Sequence, residues 1–457
     1  MGMNRNEGAA SELLEFASYR AIRYLTEISN RAVEPSTEAV ERLSALEGPL
    51  PEEPSDPAEV IRVLDEIGSP ATMATAGPRF FGFVVGGAMP VTVAANWLAA
   101  AWDQNAPVSL LSPIGTVCER IALGWLVDLL GLPRGTWGGL VTGATAANFT
   151  GLAAARQAIL QGQGWDVAAK GIFGAPAPRV VVGEEAHVSV LLALRTLGFG
   201  HEGLIRVPAD GQGRMRLDTL PDLDSKTIVC IQAGNVNSGA FDPAQEICRR
   251  AHEAGAWVHV DGAFGLWAAT TPERNHLTAG MAEADSWSLD AHKWLNVPYD
   301  CGIALCREPK FLAAAMSLDP AAYIDEYTGD QEPHDFTLEM SRRARGLEVW
   351  AALRTLGRSG LAELIERTCR HAQVFSRRLA DAGFEILNDV VLNQVLVSFG
   401  ADDQTRRVIA RVQEEGTCWV SGTKWHGRQA MRISISSWAT TSRDVDRSIE
   451  AILRVAG

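Results

Sequence analysis

The chain has little of what would take it out of the ordinary globular class. No apolar run of about 18 residues occurs anywhere in its 457 residues, so no membrane-spanning helix is expected. The N-terminal stretch Met1-Gly-Met-Asn-Arg-Asn-Glu7 is polar and leads into an amphipathic segment, not into a signal-peptide core. There is no lysine- or arginine-rich run, and the formal net charge is −14. A broad basic face for nucleic acid is thereby excluded. The seven cysteines (Cys118, Cys230, Cys248, Cys301, Cys306, Cys369 and Cys418) are scattered and lack metal-finger spacing. That pattern predicts neither a disulfide framework nor a metal site, and it fits a reducing cytoplasm. Internal repeats and low-complexity tracts are also missing, and the small-residue turn at 142–148 has neither the Walker pattern nor GxGxxG.

What is present reads as an α/β chain of two or three domains. Residues 11–30 carry Leu13, Leu14, Phe16, Ala17, Ala21 and Leu25 at helical spacing. With a Pro-rich segment and a second helix near 58–67, they form a helical N-terminal arm without a core of its own. From about residue 110, short apolar strands alternate with helices. Strands are expected at 179–182, 227–231, 257–260 and 301–305, with helices at 114–130, 148–161, 188–197 and 243–254. This alternation predicts a mostly parallel sheet covered on both faces. After about residue 340 come a long helix at 361–382, a strand at 394–398, a helix at 405–415, strands within 418–437, and a last helix opened by the capping box at Thr441. The expected division is an arm (1–75), a large α/β domain (76–340) and a smaller α+β domain (341–457). Asp319 to Phe336 is rich in Asp, Glu, Gly and Pro and reads as a long mobile loop, of a length that is usually functional or disordered.

Four turns carry candidate chemistry. The segment Ser288-Leu-Asp-Ala-His-Lys-Trp294 puts Lys293 after a strand, and His259-Val-Asp-Gly-Ala263 ends another strand in Asp261. A lysine and an aspartate at two strand ends suit pyridoxal phosphate: the amine forms a Schiff base with the aldehyde, and the carboxylate keeps the pyridine nitrogen protonated. Alone, each residue reads more readily as surface decoration, and it is the pair with the signals below that reverses this. Thr142-Gly-Ala-Thr-Ala-Ala-Asn148 is a small-residue turn opening a helix, which suits phosphate, although a plain capped turn has the same look. Glu184-Glu-Ala-His187 offers an imidazole to stack on a flat ring, or a helix cap. Gly234-Asn-Val-Asn-Ser-Gly-Ala240 offers amides to a polar ligand edge, or a backbone turn. In an open parallel sheet these strand ends face one side, where ligands bind.

Together these residues resemble the pyridoxal phosphate-dependent decarboxylases of the glutamate and aromatic amino-acid group, within the fold-type I, aspartate-aminotransferase-like superfamily. Asp290-Ala-His-Lys-Trp294 is similar to the family's Asn/Asp-Pro-His-Lys-Trp. Ala186-His-Val-Ser189, Gly239-Ala-Phe-Asp242, Arg342 to Trp350 and Pro78-Arg-Phe-Phe81 add to the match. The resemblance implies that Lys293 carries the cofactor aldehyde, that Asp261 pairs with the pyridinium nitrogen, that Ala263 lies under the ring and that His187 covers it. Gly143, Ala144, Thr145 and His292 would hold the phosphate, and Asn235 would lie near the ring hydroxyl or the substrate carboxylate. Tyr323 takes the place of the acid that returns a proton to Cα, with Tyr327 as its competitor.

The implied reaction is decarboxylation of an L-amino acid to the amine. The alternative is another reaction on the same cofactor, such as carbon–carbon lysis, aldehyde synthesis or transamination. A homodimer with sites at the subunit interface is implied too. Three positions depart from the pattern. Asp290 stands where many relatives carry asparagine near the phosphate, and Ala146 where they often carry glutamate. The segments 83–87 and 102–107 match neither the aromatic nor the glutamate enzymes closely. A carboxylate beside a phosphate is costly unless it turns away or finds a cation. Arg432 and Arg428 are candidates for a substrate carboxylate, with domain packing as the alternative, favoured for Arg428.

Overall fold

The computed structural model describes residues 7–317 and 331–457. Its large sheet has seven strands: β1 (Trp137–Val141), β2 (Arg179–Gly183), β3 (Leu204–Val207), β4 (Thr227–Gln232), β5 (Trp257–Asp261), β6 (Ser286–Asp290) and β7 (Gly302–Cys306). Their order is β1-β7-β6-β5-β4-β2-β3. The β3–β2–β4–β5–β6 pairs are parallel, whereas β7 runs antiparallel to both β6 and β1. The reversal at β7 has a local cause. The link from Asp290 to Gly302 holds no helix, and a parallel return needs a crossover of a dozen or more residues.

The strands are buried along nearly their whole length, as continuous apolar runs such as Thr227-Ile-Val-Cys-Ile-Gln232 require. One face packs on a core that includes Leu123, Leu126, Val258, Trp267, Trp287 and Trp294. The other face packs on the alanine-rich helix Ala144–Gly162 and on Val188–Thr196. Two expected helices shift. The helix expected at 148–161 starts at Ala144, and the helix expected at 361–382 spans Gly346–Asp381 with a break at Gly357 (φ 60°). Strands β1 and β3 had no expected counterpart; β1 carries two glycines that mask its strand pattern.

A second sheet of four antiparallel strands lies in the C-terminal part: β8 (Glu385–Ile386), β9 (Gln394–Ser398), β10 (Ser421–Trp425) and β11 (Arg428–Ser434), in the order β10-β11-β9-β8. It has its own core of Phe81, Phe375, Val397, Ile433 and Ile449. The last helix, Ser442–Ala456, begins with the capping box at Thr441 and Asp444. The N-terminal helix Glu7–Glu27 is tied to the segment after it by Arg20–Asp65 at 2.6 Å.

Candidate functional site

Strands β5 and β6 are parallel neighbours, with Asp261 opposite Ser288 in register. Both end in a buried aspartate, Asp261 and Asp290. Beyond β6 the chain turns tightly. The amides of Ala291 and His292 both bond to the Cys301 carbonyl, and the Cys301 amide donates to His292 Nδ1 at 3.1 Å. The His292 ring stacks on Tyr299, 4.3 Å between centroids. Burial holds the His292 imidazole below its ordinary value. The turn directs Lys293 back over the sheet, where its Nζ lies 2.8 Å from Asp290 Oδ2. The other oxygen, Oδ1, accepts the Ala144 amide at 2.6 Å and lies 3.4 Å from His292 Nε2.

Two glycines permit this close packing. A Cβ at Gly302 would lie 2.5 Å from the backbone of Gly143, so β7 and the Gly143-Ala144 turn meet backbone to backbone. A Cβ at Gly86 would stand 1.6 Å from the Lys293 carbonyl oxygen. The segment Phe80–Gly86 thus runs from the site's lysine to Trp419, on which Phe80 and Phe83 both stack. Phe83 and Val84 sit at φ 52° and 59°, in the left-handed region that costs non-glycine residues energy.

Asp261 is held differently. Its Oδ1 accepts the Ala263 amide at 3.1 Å, and Asn148 Nδ2 donates to Oδ2 at 3.4 Å. Among the described residues no lysine, arginine or histidine ion-pairs with it. Asn148 is the centre of a buried network. Its Oδ1 accepts from Ser288 Oγ at 2.6 Å and from His259 Nε2 at 2.9 Å, while its Nδ2 reaches Ser189 Oγ at 3.2 Å. Burial pushes His259 down to about 3, so its imidazole is neutral in the fold. Ser189 Oγ lies 2.7 Å from His187 Nδ1, and the Ser189 amide donates to the same nitrogen at 3.2 Å. His187 is thus the N-cap of its helix, with the ring proton assigned to Nε2 by these bonds. Burial lowers the His187 imidazole; Asp261 and Asp290 pull it back up, and Lys293 and Arg432 push it down. Asp261, Asp290, Lys293 and Arg432 therefore all lie within electrostatic reach of His187.

Asn235 lies on the loop after β4. Its Oδ1 accepts the amides of Asn237 and Ser238, and its buried Nδ2 has no partner among the described residues. Arg432, on β11, is 8% exposed and among the described residues bonds only to neutral oxygens, Val236 O at 3.3 Å and Asn237 Oδ1 at 3.4 Å. Burial pushes its guanidinium down to about 10, and its Nε lacks a partner among the described residues. Arg428 is exposed and pairs with Glu385 across the small sheet at 3.0 Å, away from this pocket. Thr145 is exposed at the helix start, and Ala263 is half-buried beside Asp261. Tyr323 and Tyr327 lie outside the described residues.

The residues that sequence reasoning passed over are Asn148 as a network centre, Ser189, His259 and Tyr299. Asn148 and His259 were each within a quoted motif. A lone amide on an alanine-rich helix was the available signal, because a buried polar group needs partners.

The donor set fits pyridoxal phosphate. It offers a primary amine, a buried carboxylate free of a cation, a small-residue helix start, an imidazole and unpartnered polar atoms at Asn235 and Arg432. Comparison with known proteins agrees. The model of the pyridoxal-dependent decarboxylase conserved domain matches residues 41–401. Tryptophan decarboxylase 1 of Oryza sativa subsp. japonica is 29% identical over 402 residues, 79% of this chain and 77% of that protein. An aromatic-L-amino-acid decarboxylase of Bacillus atrophaeus is 25% identical, over 97% of this chain and 95% of its own. A phenylacetaldehyde synthase of Petunia hybrida is 27% identical, over 75% and 71%. The crystal structure of Oryza sativa TDC with PLP and tryptamine superimposes with a TM-score of 0.89 at 24% identity, covering 100% of this chain and 99% of that one. Mouse CSAD gives 0.88 at 19% identity, covering 99% of each chain. The fold is that of the fold-type I enzymes, and the chain belongs to the pyridoxal-dependent decarboxylase family, whose cofactor is pyridoxal 5'-phosphate.

Proposed function

We propose that this enzyme removes the carboxylate of an L-amino acid as CO2 and releases the amine. The observation that carries the reading is that Asp261, a buried carboxylate without a cation among the described residues, ends the strand beside the one that leads into Lys293, with both groups in electrostatic reach of His187. When bound, the cofactor supplies an electron sink for the pair left on Cα. Lys293 would hold the cofactor through its amine. Asp261 would pair with the pyridine nitrogen, Ala263 and His187 would contact the ring, and Gly143, Ala144, Thr145 and His292 would hold the phosphate. Asn235 serves the ring hydroxyl or the substrate carboxylate.

Arg432 is the residue we assign to the substrate carboxylate. A buried guanidinium paired only with neutral oxygens gains most from an incoming anion. Tyr323, with Tyr327 as competitor, is assigned the proton returned to Cα. Aromatic L-amino acids are the proposed substrate class. Support comes from the rings of Phe80 and Phe83, stacked on Trp419 and carried by the segment whose Gly86 abuts the Lys293 backbone, and from the names of the relatives above.

The proposed assembly is a homodimer. Its support is the run of exposed apolar side chains on the arm and the following helices, including Leu14, Ile22, Trp97, Leu98 and Trp102. Exposure of that many large apolar groups on adjoining elements is what a partner surface needs. The domain division at 75/76 and 340/341 belongs to this proposal, supported by the two separate sheet cores. All seven cysteines are free, which supports a reducing compartment such as the cytoplasm, and no described helix is long and apolar enough to cross a membrane.

A second reading is aldehyde synthesis, favoured by the phenylacetaldehyde synthase relatives. The deciding experiment incubates cofactor-loaded protein with a panel of L-amino acids and identifies products by mass spectrometry. An amine is the expected product. A keto acid or an aldehyde would replace the proposal with transamination or oxidative chemistry.

A further inference from the structure

Asp290 is bonded to two groups the cofactor also needs. Its Oδ1 takes the amide of Ala144 at the small-residue helix start, and its Oδ2 holds Lys293 Nζ. The carboxylate is 2% exposed, so water screens neither contact strongly. Its charge also lies 3.4 Å from the His292 imidazole, the third group around the proposed phosphate position. We propose that Asp290 is the residue that restrains cofactor capture, by competing with the phosphate for the Ala144 amide and with the aldehyde for the Lys293 amine.

The argument has two parts. An amine engaged in an ion pair has no lone pair to offer. The pair must come apart and Nζ must lose a proton before nitrogen bonds to the aldehyde carbon. The aldehyde oxygen then leaves as water as the carbon–nitrogen double bond closes, with no change in oxidation state. Separately, a phosphate dianion at Ala144 meets a carboxylate that already accepts that N–H, and like charges at close range in a buried site repel. The titratable groups that sense the charges of the pair are His187, His292 and Tyr299; Asp261 and Arg432 act in turn on His187, and Asp300 on His292. The inference rests on the family's cofactor and not on the proposed decarboxylation.

The isosteric variant Asp290→Asn tests it. Its amide oxygen can still accept from Ala144, but it carries no charge and presents N–H to Lys293 instead of an oxygen. The full-length chain freed of cofactor is mixed with pyridoxal phosphate, and separately with pyridoxal, which lacks the phosphate. Uptake is followed by absorbance, and thermal stabilisation by inorganic phosphate alone is measured alongside.

The variant is expected to capture pyridoxal phosphate about tenfold faster than wild type, as removal of one close like charge implies. A smaller gain is expected with pyridoxal, and more stabilisation by inorganic phosphate. Equal or slower uptake of both aldehydes by the variant would overturn the proposal. Equal gains with the two aldehydes would overturn it as well, since the shared amide would then play no part. Uptake by neither protein would overturn the cofactor assignment and this inference with it. Asp290→Ser, which removes both contacts, replaces the first variant if that one does not fold, with the same outcomes expected.

Discussion

Two aspartates end two neighbouring strands of one sheet, and their surroundings could hardly differ more. Asp261 rests on neutral donors, an amide of the backbone and the side chain of Asn148. Asp290 has a cation of its own chain, Lys293, at 2.8 Å. A buried carboxylate held only by neutral groups retains an unmet demand for positive charge, and a buried carboxylate with its own cation does not. The first is built for a cation that comes with a ligand. The second has to be parted from its cation before that ligand is captured. Position at a strand end therefore does not decide what an aspartate does; its partners do.

The comparison breaks most visibly at Asp261. Asp261→Asn should lower turnover by roughly a thousandfold while the cofactor still binds, the scale seen when one preorganised electrostatic group is lost. Steady-state amine release with a cofactor absorbance check measures it. If turnover fell less than tenfold, the role given to Asp261 would go. Next in size is Arg432→Gln, expected to raise KM by about a hundredfold with a smaller change in kcat, as loss of a charge-assisted contact to substrate would. A fall in kcat alone would move Arg432 from binding to packing.

Asn148→Asp sharpens the contrast by placing a second charge next to Asp261. The new carboxylate still accepts from His259 and Ser288 but no longer donates to Ser189 or Asp261. Turnover is expected to fall about tenfold with the fold retained, on the scale of one lost hydrogen bond to a charged group. Circular dichroism and a pH profile of turnover test this, and an unchanged profile would reduce Asn148 to a core residue.

The smallest effect concerns stability. His259 is depressed to about 3 from an ordinary 6.5. The unfolded chain therefore binds the proton first on acidification. The stability from a neutral His259 is complete above about pH 6.5 and is lost as the pH falls towards the folded value. His259→Asn should flatten the acid side of a plot of Tm against pH. Parallel curves for the two proteins would contradict the assignment.

Much of this was legible in the sequence. Continuous apolar strands such as Ile228 to Ile231 can only be buried on both faces, and they specify the parallel sheet. Lys293 and Asp261 were readable because strands alternating with helices put their ends on one side of an open sheet. The direction of β7 was not, since it depends on the absence of a helix between Asp290 and Gly302. Nor was the ion pair of Asp290, because which cation a carboxylate takes is set by a turn that the strand pattern does not encode. Asn148 shows the same limit. One amide joins Ser189, Asp261, His259 and Ser288 only once four elements are packed together.

The central claim, that carbon dioxide leaves Cα and a proton replaces it, is tested most directly by running the reaction in deuterium oxide. The cofactor-loaded enzyme is given the amino acid that the product panel selects, and CO2 and the organic product are quantified together. One CO2 per amine, with a single deuterium at the former Cα, is the predicted result. An aldehyde in place of the amine, or an amine released without equal CO2, would contradict it.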